Sequence, residues 1–171
     1  MMCAESCRQR RSRGLTLMEV SVSIAVVTVI ILAAIGTRYL AVKQAVRADA
    51  YNTAGRIGLL LLEGWRSSGE PNAYDALAKL GTQFTSPDLM ESVASGGPAT
   101  PSGFITLVRP GSTNPYYHFV LDRRHYYVTL AYKNATTTAP ATLHVTVGFR
   151  QNYQVGSLSA EDNYVRLTTY D

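Results

Sequence analysis

The sequence predicts an α+β protein, with one long N-terminal helix followed by a C-terminal antiparallel β-sheet. Three observations carry that reading. The 23 residues from Leu15 to Thr37 hold a single charge, Glu19. An amphipathic stretch continues from them to about Arg66. From Phe104 onward, five strand-like segments are separated by turn-rich pieces.

The apolar segment comes first. As a helix, 23 residues reach roughly 34 Å, enough for a hydrocarbon core of ~30 Å. Its β-branched residues, among them Val22, Ile24, Val26 and Ile30, do not make it a strand, because a lone strand in lipid leaves its backbone unsatisfied. Arg8, Arg10, Arg11 and Arg13 precede it and favour a cytoplasmic N-terminus, although Arg38, Lys43 and Arg47 follow on the other side. These leader arginines also supply most of the formal charge of +4. Without residues 1–14 the 16 basic residues fall to 12 and the 12 acidic ones to 11. A net of +1 gives little reason to infer nucleic-acid binding from charge. Both cysteines, Cys3 and Cys7, lie in the same leader, so a chain trimmed of it has no thiol and relies on its core alone.

Glu19 is the anomaly. A charge at the centre of a membrane helix costs about 2.5–3.5 kcal/mol on insertion scales. A position at the headgroup interface is one explanation. A secretory signal peptide ending at Ala34-Ile35-Gly36 is another, since that tripeptide has the small-x-small form. A glutamate inside the apolar region argues against it.

Gly14-Leu15-Thr16-Leu17-Met18-Glu19, after a basic leader and before a long apolar run, resembles the N-terminal signal of type IV pilins and pseudopilins. The combination is specific, whereas each part alone is weak. The resemblance implies a leader of residues 1–14, removed after Gly14 by a membrane prepilin peptidase. The same enzyme would methylate the new amine of Leu15, with S-adenosylmethionine as donor. Gly14 has no Cβ and suits a narrow protease site. The freed amine has an unperturbed pKa of ~7.7–8.0 and is largely cationic at neutral pH. By resemblance, Glu19, with Thr16 beside it in the motif, serves assembly by neutralising the Leu15 amine of a neighbouring subunit. Either charge left alone in an apolar core is costly. Leu15 stands where phenylalanine is commoner, and Gly36 where many members carry proline. The paired C-terminal cysteines of many major pilins are missing, which points to a minor subunit or a pseudopilin. The tip-most pseudopilins usually lack the glutamate that this chain has.

The remaining elements follow in order. Residues 15–37 form the membrane and assembly helix. Residues 38–66 form an amphipathic stem whose apolar stripe is Leu40, Val42, Val46, Ala50, Ala54, Ile57, Leu61 and Trp65. Residues 67–103 read as short helices and a linker. One helix is expected over Asn72–Leu80, stopped by Gly81, and another begins at Ser86-Pro87. Ser95–Gly103 (SGGPATPSG) reads as a flexible connector. Residues 104–171 form the sheet, from FITLVR, YYHFVL, HYYVTLAY, ATLHVTVGFR and YVRLTTY. Leu143, Val145, Val147 and Phe149 share one face, while Thr142, His144, Thr146 and Arg150 share the other. This alternation predicts one covered face, with the stem as its cover.

Other chemistry is thin. His118, His125 and His144 are expected on the outer face as surface histidines, without carboxylates or thiols at ligand spacing. Asp122, Glu161, Asp162 and Asp171 lack a calcium-loop pattern. No G-x-S-x-G, P-loop or H-E-x-x-H motif occurs. Asn134-Ala135-Thr136 matches a glycosylation sequon within a polar loop. The head's many tyrosines suit subunit contacts or ordinary strand packing. Arg123-Arg124 reads as a hairpin tip, a solvated turn or a contact to DNA.

The expected function is structural: a minor pilin or pseudopilin of a type IV pilus or type II secretion-like filament. It is expected to be a peptidase substrate and not an enzyme, without cofactor or metal. It would sit in a bacterial inner membrane with its head exported, then in the pilus or periplasmic pseudopilus. Its partners are the prepilin peptidase, other pilin subunits and an inner-membrane assembly platform. The alternatives are a DNA- or surface-binding minor pilin, or a membrane-anchored exported domain of unrelated activity.

Overall fold

The computed structural model describes residues 16–69, 71–81, 84, 89–150 and 163–170. The chain divides into two compact units, Met1–Ala45 and Val46–Asp171. Helix α1 spans Leu17–Arg66. In the first unit its apolar side chains are exposed all round, from Leu17 through Ile24 and Ile31 to Val42. The helix runs through Gly36 without a break, so glycine at this position does not interrupt it.

In the second unit one face of α1 is buried through Ala50, Ala54, Ile57, Gly58, Leu61, Leu62 and Trp65. The buried stripe therefore begins at Ala50. Leu40, Val42 and Val46, which have the right spacing to extend it, are exposed. Periodicity marks a face without saying how far its cover extends. The helix ends where Ser67 N donates to the Glu63 carbonyl at 2.9 Å and Ser68 N to that of Trp65 at 3.0 Å. Gly69 then takes a φ of 69°, a left-handed turn that glycine adopts without strain.

The sheet has six strands, β1 (Leu89–Val93), β2 (Ile105–Thr106), β3 (Tyr116–Leu121), β4 (Arg124–Lys133), β5 (Thr142–Phe149) and β6 (Asn163–Tyr170). Their order is β1-β3-β4-β5-β6, every pairing is antiparallel, and β2 pairs with the far end of β4. Two expectations change here. FITLVR contributes only the two residues Ile105 and Thr106 to the sheet. Leu89–Val93 is a strand, so no helix from Ser86 extends through it; residues 85–88 lie outside the described residues. The short helix α2 covers Ala76–Leu80. It starts later than Asn72 because the Asp75 carboxylate accepts from Leu77 N at 3.0 Å and Ala78 N at 3.2 Å. Gly81 closes it.

The core lies between α1 and the inner face of the sheet. Trp65 is its anchor, with its ring stacked on Tyr74, edge-on to Tyr132, and its Nε1 donating to the Pro71 carbonyl at 2.9 Å. Leu143, Val145, Val147 and Phe149 are all buried there.

The outer face is covered as well, contrary to the expectation of a one-sided sheet. Tyr127, Thr129, His144 and Thr146 on that face are buried. The cover is Ser95–Gly103, which is a packed strap and not a loose connector. Gly96 lies against the Tyr127 ring and Gly97 against the Tyr116 ring. Pro98 is buried, with its carbonyl accepting from Thr129 Oγ1. Phe104 reaches His144, ring centroids 5.4 Å apart.

Candidate functional site

The start of α1 is built from four consecutive residues, Thr16-Leu17-Met18-Glu19. Thr16 Oγ1 accepts from Glu19 N at 3.3 Å, and Glu19 Oε2 accepts from Thr16 N at 2.9 Å. This is the reciprocal capping box of a T-x-x-E sequence, in which each side chain satisfies one orphan backbone donor of the first turn. Thr16 Oγ1 also donates to Glu19 Oε2 at 3.1 Å. Among the described residues both bonds to the carboxylate fall on one oxygen, Oε2, and Oε1 has no partner. A carboxylate in a first turn also meets the positive end of the helix dipole. Beside its charge, the motif's capping function is legible in the sequence, in the threonine three residues ahead of the glutamate. Gly14 and Leu15, the expected cleavage and methylation positions, lie outside the described residues.

Beyond Glu19 the helix removes its own polar demands. Ser21 Oγ donates to the Leu17 carbonyl at 2.9 Å, Ser23 Oγ to Glu19 at 2.7 Å, Thr28 Oγ1 to Ile24 at 2.8 Å and Thr37 Oγ1 to Ala34 at 3.0 Å. Such back-bonding lets hydroxyls enter an apolar medium without an outside partner. An 18-residue window of the helix has a mean hydropathy of 2.5, and none of that window is buried. The helix is long and apolar enough to cross a membrane.

The other candidates resolve differently. Arg124 does not project from a turn. Its side chain is 13% exposed, with Nη1 donating to the Val46 carbonyl at 3.2 Å and lying 3.6 Å from Asp49. Only Asp122 and Arg123 form the turn, at φ of 49° and 63°, the left-handed pair that a two-residue hairpin needs. His118 and His144 are buried, so the surface reading fails for both. His144 bonds Thr168 Oγ1 at 2.8 Å and Thr146 Oγ1 at 3.0 Å. Burial first, and then Arg166, pull its pKa below the usual imidazole value. His118 and His125 meet each other and Glu91. Spacing along the chain did not reveal that group, because its members lie on three strands whose order sequence does not give. Asp122 is exposed at its turn, while Glu161, Asp162 and Asp171 lie outside the described residues. Among the tyrosines, Tyr117, Tyr126 and Tyr127 are buried and pack within the head, whereas Tyr170 is exposed. Asn134 and Thr136 sit in an exposed loop.

Residues 9–35 match a family model described as the prokaryotic N-terminal methylation motif. No curated protein and no solved structure matches the chain. The match spans the end of the basic leader from residue 9, the capping box and most of the exposed apolar segment, which include the Gly14–Glu19 motif that carries the resemblance in the sequence. The chain carries the prepilin-type N-terminal signal of type IV pilins and pseudopilins, ahead of a helix and antiparallel sheet in the α+β arrangement expected for such a protein.

Proposed function

We propose that the chain is the precursor of a minor pilin or pseudopilin, a structural subunit of a type IV pilus or type II secretion-like filament and a substrate of prepilin peptidase, not an enzyme. The observation that carries this reading is the methylation motif at residues 9–35, coinciding with the exposed apolar start of α1. Cleavage after Gly14 frees the Leu15 amine, and methylation from S-adenosylmethionine leaves it cationic. The apolar helix holds the subunit in the inner membrane, N-terminus inside and head exported, until the assembly platform draws it into the filament. Glu19 then serves two partners. Oε2 keeps its own helix start closed through Thr16, and Oε1 takes up the cationic amine of the adjacent subunit. An apolar surrounding makes the unpaired state of either charge costly, which favours the arrangement that joins them.

Intact mass and N-terminal sequencing test this, on full-length chain made with and without prepilin peptidase. The expected product starts at Leu15, depends on the peptidase and carries one added methyl. A start at Met1 in both samples would leave an ordinary membrane anchor and end the proposal. Glu19→Ala is expected to be cleaved but not incorporated into filaments.

A further inference from the structure

Loss of the leader reverses the charge bias of α1. The arginines that favour a cytoplasmic N-terminus all lie in residues 1–14, ahead of the expected cut. Arg38, Lys43 and Arg47 follow the apolar segment on the side read as exported, where basic residues close to a span are otherwise scarce. Arg47 is accounted for, since its Nη2 donates to Asn163 Oδ1 at 2.8 Å. Arg38 and Lys43 are exposed, and among the described residues neither makes a hydrogen bond or an ion pair.

The apolar character of α1 continues among these cations. Tyr39, Leu40 and Val42 are 69%, 57% and 63% exposed. At about 100° per helical residue, Val42, Tyr39 and Leu40 stand about 40°, 100° and 200° round the axis from Arg38, and Lys43 about 140°. Arg38 is thus beside Val42, and Lys43 lies between Tyr39 and Leu40 on the other side. A groove on a partner protein covers one stripe of a helix and would leave half of these groups bare. A medium that surrounds the helix, apolar and anionic at once, meets all of them.

Length points to the same medium. Val20–Thr37 holds 18 uncharged residues, roughly 27 Å of helix. Arg38 therefore stands at the edge of a hydrocarbon core of ~30 Å. Leu17–Ala45, the helical part of the first compact unit, reaches roughly 44 Å. A bilayer with both headgroup layers is ~40–45 Å thick. The second unit begins at Val46, where that length runs out.

We propose that Arg38, Tyr39 and Lys43 form a lipid-phosphate collar, a binding site for the headgroups of anionic phospholipids in the exported-side leaflet. It rests on the membrane-spanning reading of the segment before it. The Arg38 guanidinium reaches out of the hydrocarbon along its own aliphatic stem to one phosphate, and the Lys43 ammonium meets another from a different side of the helix. Tyr39 lies between them, with its ring at the acyl boundary and its hydroxyl among the headgroups. An anionic lipid is preferred to a zwitterionic one, because no lipid ammonium competes for its phosphate. The collar holds the exported end of the span at a fixed depth once the leader arginines are gone. It needs no processing, so the leader-bearing chain serves to test it.

The test uses full-length chain with Cys3→Ser and Cys7→Ser and one bimane label, at Leu40→Cys or at Ile30→Cys. The chain is placed in vesicles of equimolar phosphatidylcholine and phosphatidylglycerol. The quenchers are either lipid with a nitroxide high on one acyl chain, and phosphatidylcholine with a nitroxide deep in the chain. The label at position 30 is expected to be quenched by the deep nitroxide, which checks the span by itself. At position 40 the phosphatidylglycerol probe is expected to quench about twofold more than its phosphatidylcholine counterpart. Arg38→Gln combined with Lys43→Gln, at exposed positions without partners in the fold, is expected to bring that ratio to one, as is molar salt. Deep quenching at position 30 with equal quenching by the two probes at position 40 would overturn the collar and leave the anchor standing. So would a label at position 40 that a second copy of the chain shields from lipid. Absence of deep quenching at position 30 would instead sink the spanning reading, and the collar with it.

Discussion

Gly97 lies so close to the Tyr116 ring that a Cβ on Gly97 would overlap the ring's Cγ and Cδ1 atoms. The neighbouring Gly96, at a φ of 99°, brings its own backbone against Tyr127. This is how a nine-residue segment without regular structure closes one face of the sheet. Gly97→Ala must push the strap or the ring aside, at a cost of about 1–3 kcal/mol, as overpacking does. Urea unfolding followed by circular dichroism checks it. Gly103→Ala is a poor control because of its positive φ, whereas Gly55, with open space around it, is a good one. Gly55→Ala is expected to be neutral or slightly stabilising.

Trp65 holds the top of the head together through two rings and one hydrogen bond. Trp65→Phe keeps a ring but abandons the Pro71 carbonyl, an expected loss of about 1–3 kcal/mol from the bond and the smaller volume. Trp65→Ala is expected to cost about 3–5 kcal/mol. Chemical denaturation read by far-ultraviolet dichroism measures both, and equal stability of the two variants would contradict the anchoring role.

The capping box predicts a separable role for Thr16. Thr16→Ala removes the acceptor for Glu19 N and one of the donors to the carboxylate. Loss of such a cap costs about 0.5–2 kcal/mol locally. Faster amide exchange at Leu17 to Glu19 in micelles is the expected readout. Thr16→Ser is expected to retain the bonds and the protection.

Two histidines contribute to the pH dependence of the head. His125 and His144 both have pKa values lowered chiefly by burial. The unfolded chain therefore binds more protons than the folded one just below the ordinary value of ~6.5. Their contribution to stability is present above that value and is lost as pH falls through the folded pKa values. Trp65 is the single tryptophan, and its fluorescence in urea is expected to give a lower midpoint at pH 5.0 than at pH 7.5. A midpoint that rises on acidification would show that other groups dominate.

The long helix and most of the sheet are legible in the sequence for a simple physical reason. Membrane-length apolarity and strand alternation are local patterns, and each residue reports its own environment. β3 to β6 fall on segments read as strands, and the stem's buried half falls on the predicted stripe. What was not legible depended on distant partners. Ser95–Gly103 has a linker's composition, yet its glycines serve close approach to Tyr116 and Tyr127. His144 alternates like an exposed residue, yet the Phe104 ring packs against it. Leu40 and Val42 alternate like buried ones, yet in their unit they are exposed. At the N-terminus the motif was complete in the sequence, because capping is an interaction over three residues.

The self-bonded hydroxyls of Ser21, Ser23, Thr28 and Thr37 have a further consequence for any neighbouring helix. Between Leu17 and Thr37 such a neighbour meets a surface with almost no directional preference, where sliding by a turn exchanges one aliphatic contact for another. Glu19 is the exception, with an oxygen still able to choose a partner. Axial stagger between neighbours would then be fixed at one end of the segment only. The remaining length, roughly 27 Å, would stay free to bend or rotate without breaking a single polar contact.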